Sequence, residues 1–133
     1  MNIEEIIKEI NRSMEKLDIL STKKMMEDYM LLIDHKRHHL ITAARELYEC
    51  MKHKKQLGLD PLTRSEVSIL YTINMYASKF DIIGIRTLIK AHPELWVRDD
   101  IEHYFNEEAK ILLQGMNVIP SKNRISKQTP LSS

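Results

Sequence analysis

His35 and His39 stand four residues apart in a stretch that reads as helix, so both imidazoles would share one face at a spacing able to hold a transition metal. Further helical steps add Glu46, Cys50 and His53. A zinc or iron centre needs three or four converging ligands, each oriented by a neighbouring group. A single helix offers these groups only as an elongated row, and a second helix would have to complete the set. Asp99 and His103 make another one-turn pair far away in sequence. The expectation is a protein with no metal and no cofactor.

Cys50 and His53 would be a thiol and its base, yet no glycine-rich turn or oxyanion-forming loop accompanies them. The chain holds 3 glycines, too few for a phosphate-cradling loop, a dinucleotide fingerprint or a nucleophile elbow to be found among them. We expect a non-catalytic protein. Arg37 is the polar exception in an otherwise apolar row. A cation there either meets a carboxylate and fixes register, or snorkels to water where helices part. Both readings stay open.

The elements carrying these residues are helical. Through residue 57 there is neither glycine nor proline; Gly58 and Pro61 are the first of each. Ile3, Ile7, Ile10, Met14 and Leu17 are spaced 4-3-4-3, which predicts a first helix over 2–18 with one narrow apolar stripe. Ser21 or Thr22 then offers a hydroxyl N-cap, favouring a corner there. A second helix is predicted from about Thr22 to Leu57, ~50 Å long at 1.5 Å per residue. Its stripe is Met26, Met30, Ile33, Arg37, Leu40, Ala44, Leu47 and Met51. Lys52, His53, Lys54 and Lys55 gather in the last turns, where cations meet the negative end of the helix dipole. Gly58 caps this helix and Asp60-Pro61 ends it.

Thr63 and Glu66 form a capping box that opens a helix over about 64–79. Val67, Ile69, Leu70, Tyr71, Ile73, Met75, Tyr76 and Ala77 make it apolar nearly all round, so it is predicted to be the central buried element. Asp81 caps a helix over 82–91. A last helix runs from Pro93 to Gln114, with Trp96, Val97, Ile101, Tyr104, Phe105, Ile111 and Leu112 inward and Gly115 as its stop. No repeat occurs at a fixed period of 30–45 residues. The fold class is all-α: a long N-terminal helical hairpin or coiled-coil-like segment (1–58), a compact three-helix part (62–115), and a tail (116–133) disordered past about Val118.

Composition narrows the function. Of 133 residues 29% are charged, and the net charge is +1, so no global field draws the chain to nucleic acid or membrane. Locally, residues 1–34 sum to −3, 35–64 to +4, 94–115 to −4 and the tail to +3, an alternation that suits complementary surfaces. The lone Cys50 excludes an internal disulfide and fits a reducing compartment. No apolar run approaches the roughly 18–20 residues of a spanning helix, and the N-terminus lacks the pattern of a secretion signal. The expected location is cytoplasmic.

These features predict a helical protein–protein interaction or regulatory adaptor protein, a dimer in its own right or bound to a protein of unknown identity. Its contact residues would be Ile3, Ile7, Ile10, Met26, Met30, Ile33, Arg37, Leu40, Leu47 and Met51. A second reading comes from Leu62-Thr63-x-x-Glu66-x-x-Ile69-Leu70 and the helices after it. This stretch resembles the entry to the winged helix-turn-helix of MarR-type regulators. The resemblance implies a DNA-binding dimer whose long helices build the interface. Lys52, Lys54, Lys55, Lys122, Arg124 and Lys127 would then meet the phosphate backbone. Against it, residues 94–115 carry six carboxylates and two cations where a recognition helix must approach phosphates.

Overall fold

The computed structural model describes residues 2–121, and every regular element among them is helical. The chain forms α1 (Ile3–Glu15), α2 (Ile19–Asp28), α3 (Met30–Asp34), a 3₁₀ turn at Arg37–His39 and α4 (Thr42–Leu57). It continues through α5 (Arg64–Ser78), α6 (Ile82–Ala91), α7 (Pro93–Trp96), a 3₁₀ turn at Glu102–Tyr104 and α8 (Glu107–Gly115). The order of helix, helix, short helix, 3₁₀ turn and helix therefore occurs twice.

The recurrence extends to individual bonds. α1 and α5 each open on a capping box, Asn2 with Glu5 and Thr63 with Glu66. At their ends, the amides of Leu17 and Asp18 donate to the carbonyls of Met14 and Ser13, and those of Phe80 and Asp81 to Ala77 and Tyr76. This is the paired bonding of a Schellman turn, which needs a left-handed residue. Leucine at φ 58° and phenylalanine at φ 56° supply it, where glycine is usual. The carboxylates of Asp18 and Asp81 then accept from the amides of Ser21 and Gly84, opening α2 and α6. Asn11 accepts from the Ile41 amide at 2.9 Å and donates to the His39 carbonyl at 3.2 Å. Asn74 accepts from the Asn106 amide at 2.9 Å and donates to the Tyr104 carbonyl at 2.8 Å. Buried positions correspond as well: Ile10 with Ile73, Met26 with Ile89, Leu40 with Phe105, Ala44 with Ala109.

Two predicted helices are broken. The rod expected over 22–57 is three helices and a 3₁₀ turn, although no glycine or proline interrupts it. Tertiary burial decides this. α1 has 13 residues, about 20 Å at 1.5 Å per residue, so a straight ~50 Å rod would carry much of its stripe past any cover. Breaks at Tyr29 and between His35 and Ile41 fold the row back, and Met26, Ile33, Leu40 and Leu47 enter one core. The first corner also moves, to Leu17–Asp18. Thr22 lies inside α2, its hydroxyl donating to the Asp18 carbonyl at 2.8 Å. The last predicted helix divides likewise, because Val97, Ile101 and Phe105 turn inward and Asn106 caps a new start by accepting from the Ala109 amide.

The two halves share one hydrophobic cluster. α4 packs on α7, and beyond α8 the chain returns to the first corner. There the Asn117 carbonyl accepts from the Leu20 amide at 3.0 Å and its amide group donates to Asp18 at 2.5 Å. Val118 and Ile119 are buried. Residues 122–133 lie outside the described part, Lys122, Arg124 and Lys127 with them. Among the described residues no helix is long and apolar enough to cross a membrane.

The paired asparagines make a direct test. Asn11→Ala and Asn74→Ala each strand one amide and one carbonyl, so each should lower the unfolding free energy by about 2 kcal/mol in urea denaturation. Wild-type midpoints for both variants would show that the clamps are incidental.

Candidate functional site

The residues expected to contact a partner are mostly covered by the chain itself. Ile7, Ile10, Met26, Ile33, Leu40, Leu47 and Met51 are buried, while Ile3 and Met30 are half-buried against the same core. The stripe is thus largely internal packing among α1, α2, α3 and α4. Arg37 lies in the exposed 3₁₀ turn and pairs with Glu49 at 3.0 Å. Both side chains are well solvated, and such a pair contributes about 0–1 kcal/mol, too little to fix a register.

The basic cluster on α4 is largely committed inward. Lys52 donates to Asp34 at 2.8 Å. Lys54 donates to the Val97 carbonyl at 2.7 Å and, with Lys23 on the Trp96 carbonyl at 2.6 Å, terminates α7. Burial and then the nearby Lys54 push the Lys23 ammonium below its usual pKa. Lys55 remains exposed. Phosphate contact by Lys52 or Lys54 would have to break bonds that hold α3 and α7 in place.

A groove of about 740 Å³ runs between the C-terminal half of α4, the linker after Gly58, and α7. Cys50, His53, Glu49, Glu94 and Arg98 line it. Burial, then the Glu94, Glu46 and Glu49 carboxylates, push the Cys50 thiol up, which keeps it protonated and a poor nucleophile. Arg98 is held by two bonds to Asp100, each of 2.9 Å. His35 and His39 fall on either side of the break after α3, so they do not share a helical face. Among the described residues no group of three histidine, cysteine or acidic side chains could hold a metal ion.

The face that stands out is one the sequence predicted to be buried. α5 is apolar nearly all round, yet Tyr71 is 56% and Met75 50% exposed. With the half-buried Val67 they form a row at i, i+4 and i+8. On α8, expected to turn inward, Ile111 is 64% exposed. The internal repeat supplies the comparison. Aligned through Asn11 and Asn74, the positions of Val67, Tyr71 and Met75 correspond to Glu4, Lys8 and Arg12 of α1, all exposed. Aligned through Ile41 and Asn106, Ile111 corresponds to the exposed Glu46. The same scaffold positions carry charge in the first unit and apolar groups in the second. Sequence reading missed the face because apolar character all round ordinarily signals burial. The signal that finds it is the paired Ile-Asn and Lys-x-Asp-Ile, at Ile10-Asn11 with Lys16–Ile19 and at Ile73-Asn74 with Lys79–Ile82.

No family model matches this chain, and no curated protein or solved structure matches it.

Two measurements follow from the geometry. Hydrogen bonds from Lys52 and Tyr48 hold the Asp34 carboxyl below the usual carboxylate range. Its contribution to stability is therefore complete above the unfolded value of about 3.9 and is lost as pH falls through the lower folded value. Asp34→Asn should be less stable than wild type at pH 7, with the gap closing toward pH 3; a constant gap would remove the ionic account. Cys50 should react with a disulfide reagent at pH 8 more slowly than a free thiol of ordinary pKa, and an equal rate would remove this account of the thiol.

Proposed function

We propose that this protein is a non-catalytic helical interaction module, of regulatory or adaptor type, that binds another polypeptide through the outer face of α5. One observation carries the reading. In the row of Val67, Tyr71 and Met75, the last two stand half or more exposed, at positions where the companion unit carries Glu4, Lys8 and Arg12. Folding accounts for part of the difference only: the Tyr71 ring meets Tyr104 edge-on at 6.1 Å between centroids, yet Tyr71 remains 56% exposed. Helix propensity does not account for the rest: valine and tyrosine are poorer helix formers than glutamate and lysine. Apolar rows left open to water on a folded surface mark contact sites, and tyrosine and methionine are enriched in them.

The DNA-binding reading has less behind it. Lys52 and Lys54 serve internal bonds, and the described residues contain no strand from which the wing of a winged helix could be made.

The test uses the companion unit as its guide. Tyr71→Lys with Met75→Arg installs on α5 the residues that α1 carries at the same positions, so the fold should survive, as circular dichroism and thermal melting will report. Affinity capture from cells, with the captured polypeptides identified and rebound as purified proteins, should show binding reduced about tenfold or more. Undiminished binding by the double variant would overturn the reading.

A further inference from the structure

The geometry points to a second copy of this chain as the occupant of the α5 face, docked antiparallel about a two-fold axis at Tyr71. This inference rests on the reading of that face as an interaction surface and adds what covers it.

Three features select a copy of the same chain. The first is charge. Between Glu66 and Lys79, residues 67–78 contain no acidic or basic side chain, in a chain that is 29% charged. A partner surface for this row must itself be uncharged, and α5 is such a surface.

The second is spacing. Val67 and Met75 each lie four residues from Tyr71, one helical step on either side. Antiparallel pairing centred on Tyr71 lays Val67 against the partner's Met75, and Met75 against the partner's Val67. A short side chain meets a long flexible one twice, while the two tyrosines meet at the axis. This is the self-complementarity that an isologous two-fold contact requires. The third is the pair of ends. In the antiparallel arrangement Arg64 falls opposite Ser78, and Lys79 opposite Thr63. A parallel arrangement would set arginine beside arginine and lysine beside lysine, which is repulsive. Antiparallel helices also oppose their dipoles favourably.

Size sets the strength. α5 has 15 residues, so it is about 22 Å long and ~10 Å wide. That is about 220 Å² per copy for α5 alone, well under the roughly 800 Å² a side of a standard interface. The dimer is therefore reversible and concentration-dependent.

Sedimentation of the full chain over a concentration series reads this directly. The wild-type mass should rise from 15.7 kDa toward twice that value. The chain carrying Tyr71→Lys and Met75→Arg should stay at the monomer mass throughout. A second arm does not depend on those substitutions. Tyr71→Cys in a Cys50→Ser background should give a disulfide-linked dimer on oxidation, because a residue on the axis faces its own copy. Ile83→Cys on α6, also exposed, should not. Overturning results are a wild type that remains monomeric, a dimer indifferent to the double substitution, or equal cross-linking at both cysteines. A monomeric wild type that still captures a different protein through Tyr71 and Met75 would overturn the second copy and leave the interaction face standing. A monomer whose capture ignores those residues would overturn both.

Discussion

Each break in these helices exposes backbone amides and carbonyls, and the core can close only where side chains satisfy them. Burying apolar surface contributes about 25 cal/mol per Å², whereas each stranded buried polar group costs about 1–3 kcal/mol. The fold resolves this opposition with a few polar residues at the bends. Asn11 and Asn74 each serve one amide and one carbonyl across their 3₁₀ turns. Tyr48 reaches from the core to the Met30 carbonyl and to Asp34. Lys23 and Lys54 close the end of α7. With those groups in place, thirteen-residue α1 suffices to cover a stripe that a straight helix would have left in water.

The same interactions make the molecule its own reference. Because the clamps, the left-handed turns at Leu17 and Phe80 and the aspartate caps recur, positions in the two units have equivalent backbone surroundings. Side chains at equivalent positions are then comparable with the backbone geometry held constant. An exposed tyrosine on an arbitrary helix needs no explanation. A row of three apolar residues does when the duplicate of that helix carries glutamate, lysine and arginine.

Helical character, the capping box at Thr63 and Glu66, the Asp81 cap and the Gly58 stop were all legible in the sequence, since each depends on residues within one turn of the other. The breaks were not. Tyr29, His35 and Val97 carry no local signal to stop a helix; the helix stops because Ile33, Leu40, Ile101 and Phe105 must reach a core made by distant parts of the chain. Periodicity found the right apolar stripe on α1 and α4 and could not say that its cover was internal. The α5 face escaped for the converse reason. Helix 64–79 had apolar residues on every side, and composition alone does not tell a helix buried by its own chain from one awaiting another.

Where the uncovered residues lie gives the last constraint. At the first corner, Leu17 is buried and Leu20 half-buried, closed by the segment through Asn117 that follows α8. At the second corner the equivalent pair, Phe80 and Ile83, is 75% and 79% exposed, although phenylalanine there holds a left-handed conformation that glycine would hold with less strain. Tyr71, Met75 and Ile111 belong to the same second unit. In proteins built of repeated helical units, each unit covers the apolar side of its neighbour, and an end unit needs a polar outer face to stand alone in water. The first unit here has charge along α1 and α4, in Glu4, Lys8, Arg12 and Glu46, although Leu31 on α3 is itself 81% exposed. The second has Val67, Tyr71, Met75 and Ile111 at those positions, so the matching strip of its surface is apolar where that of the first is charged.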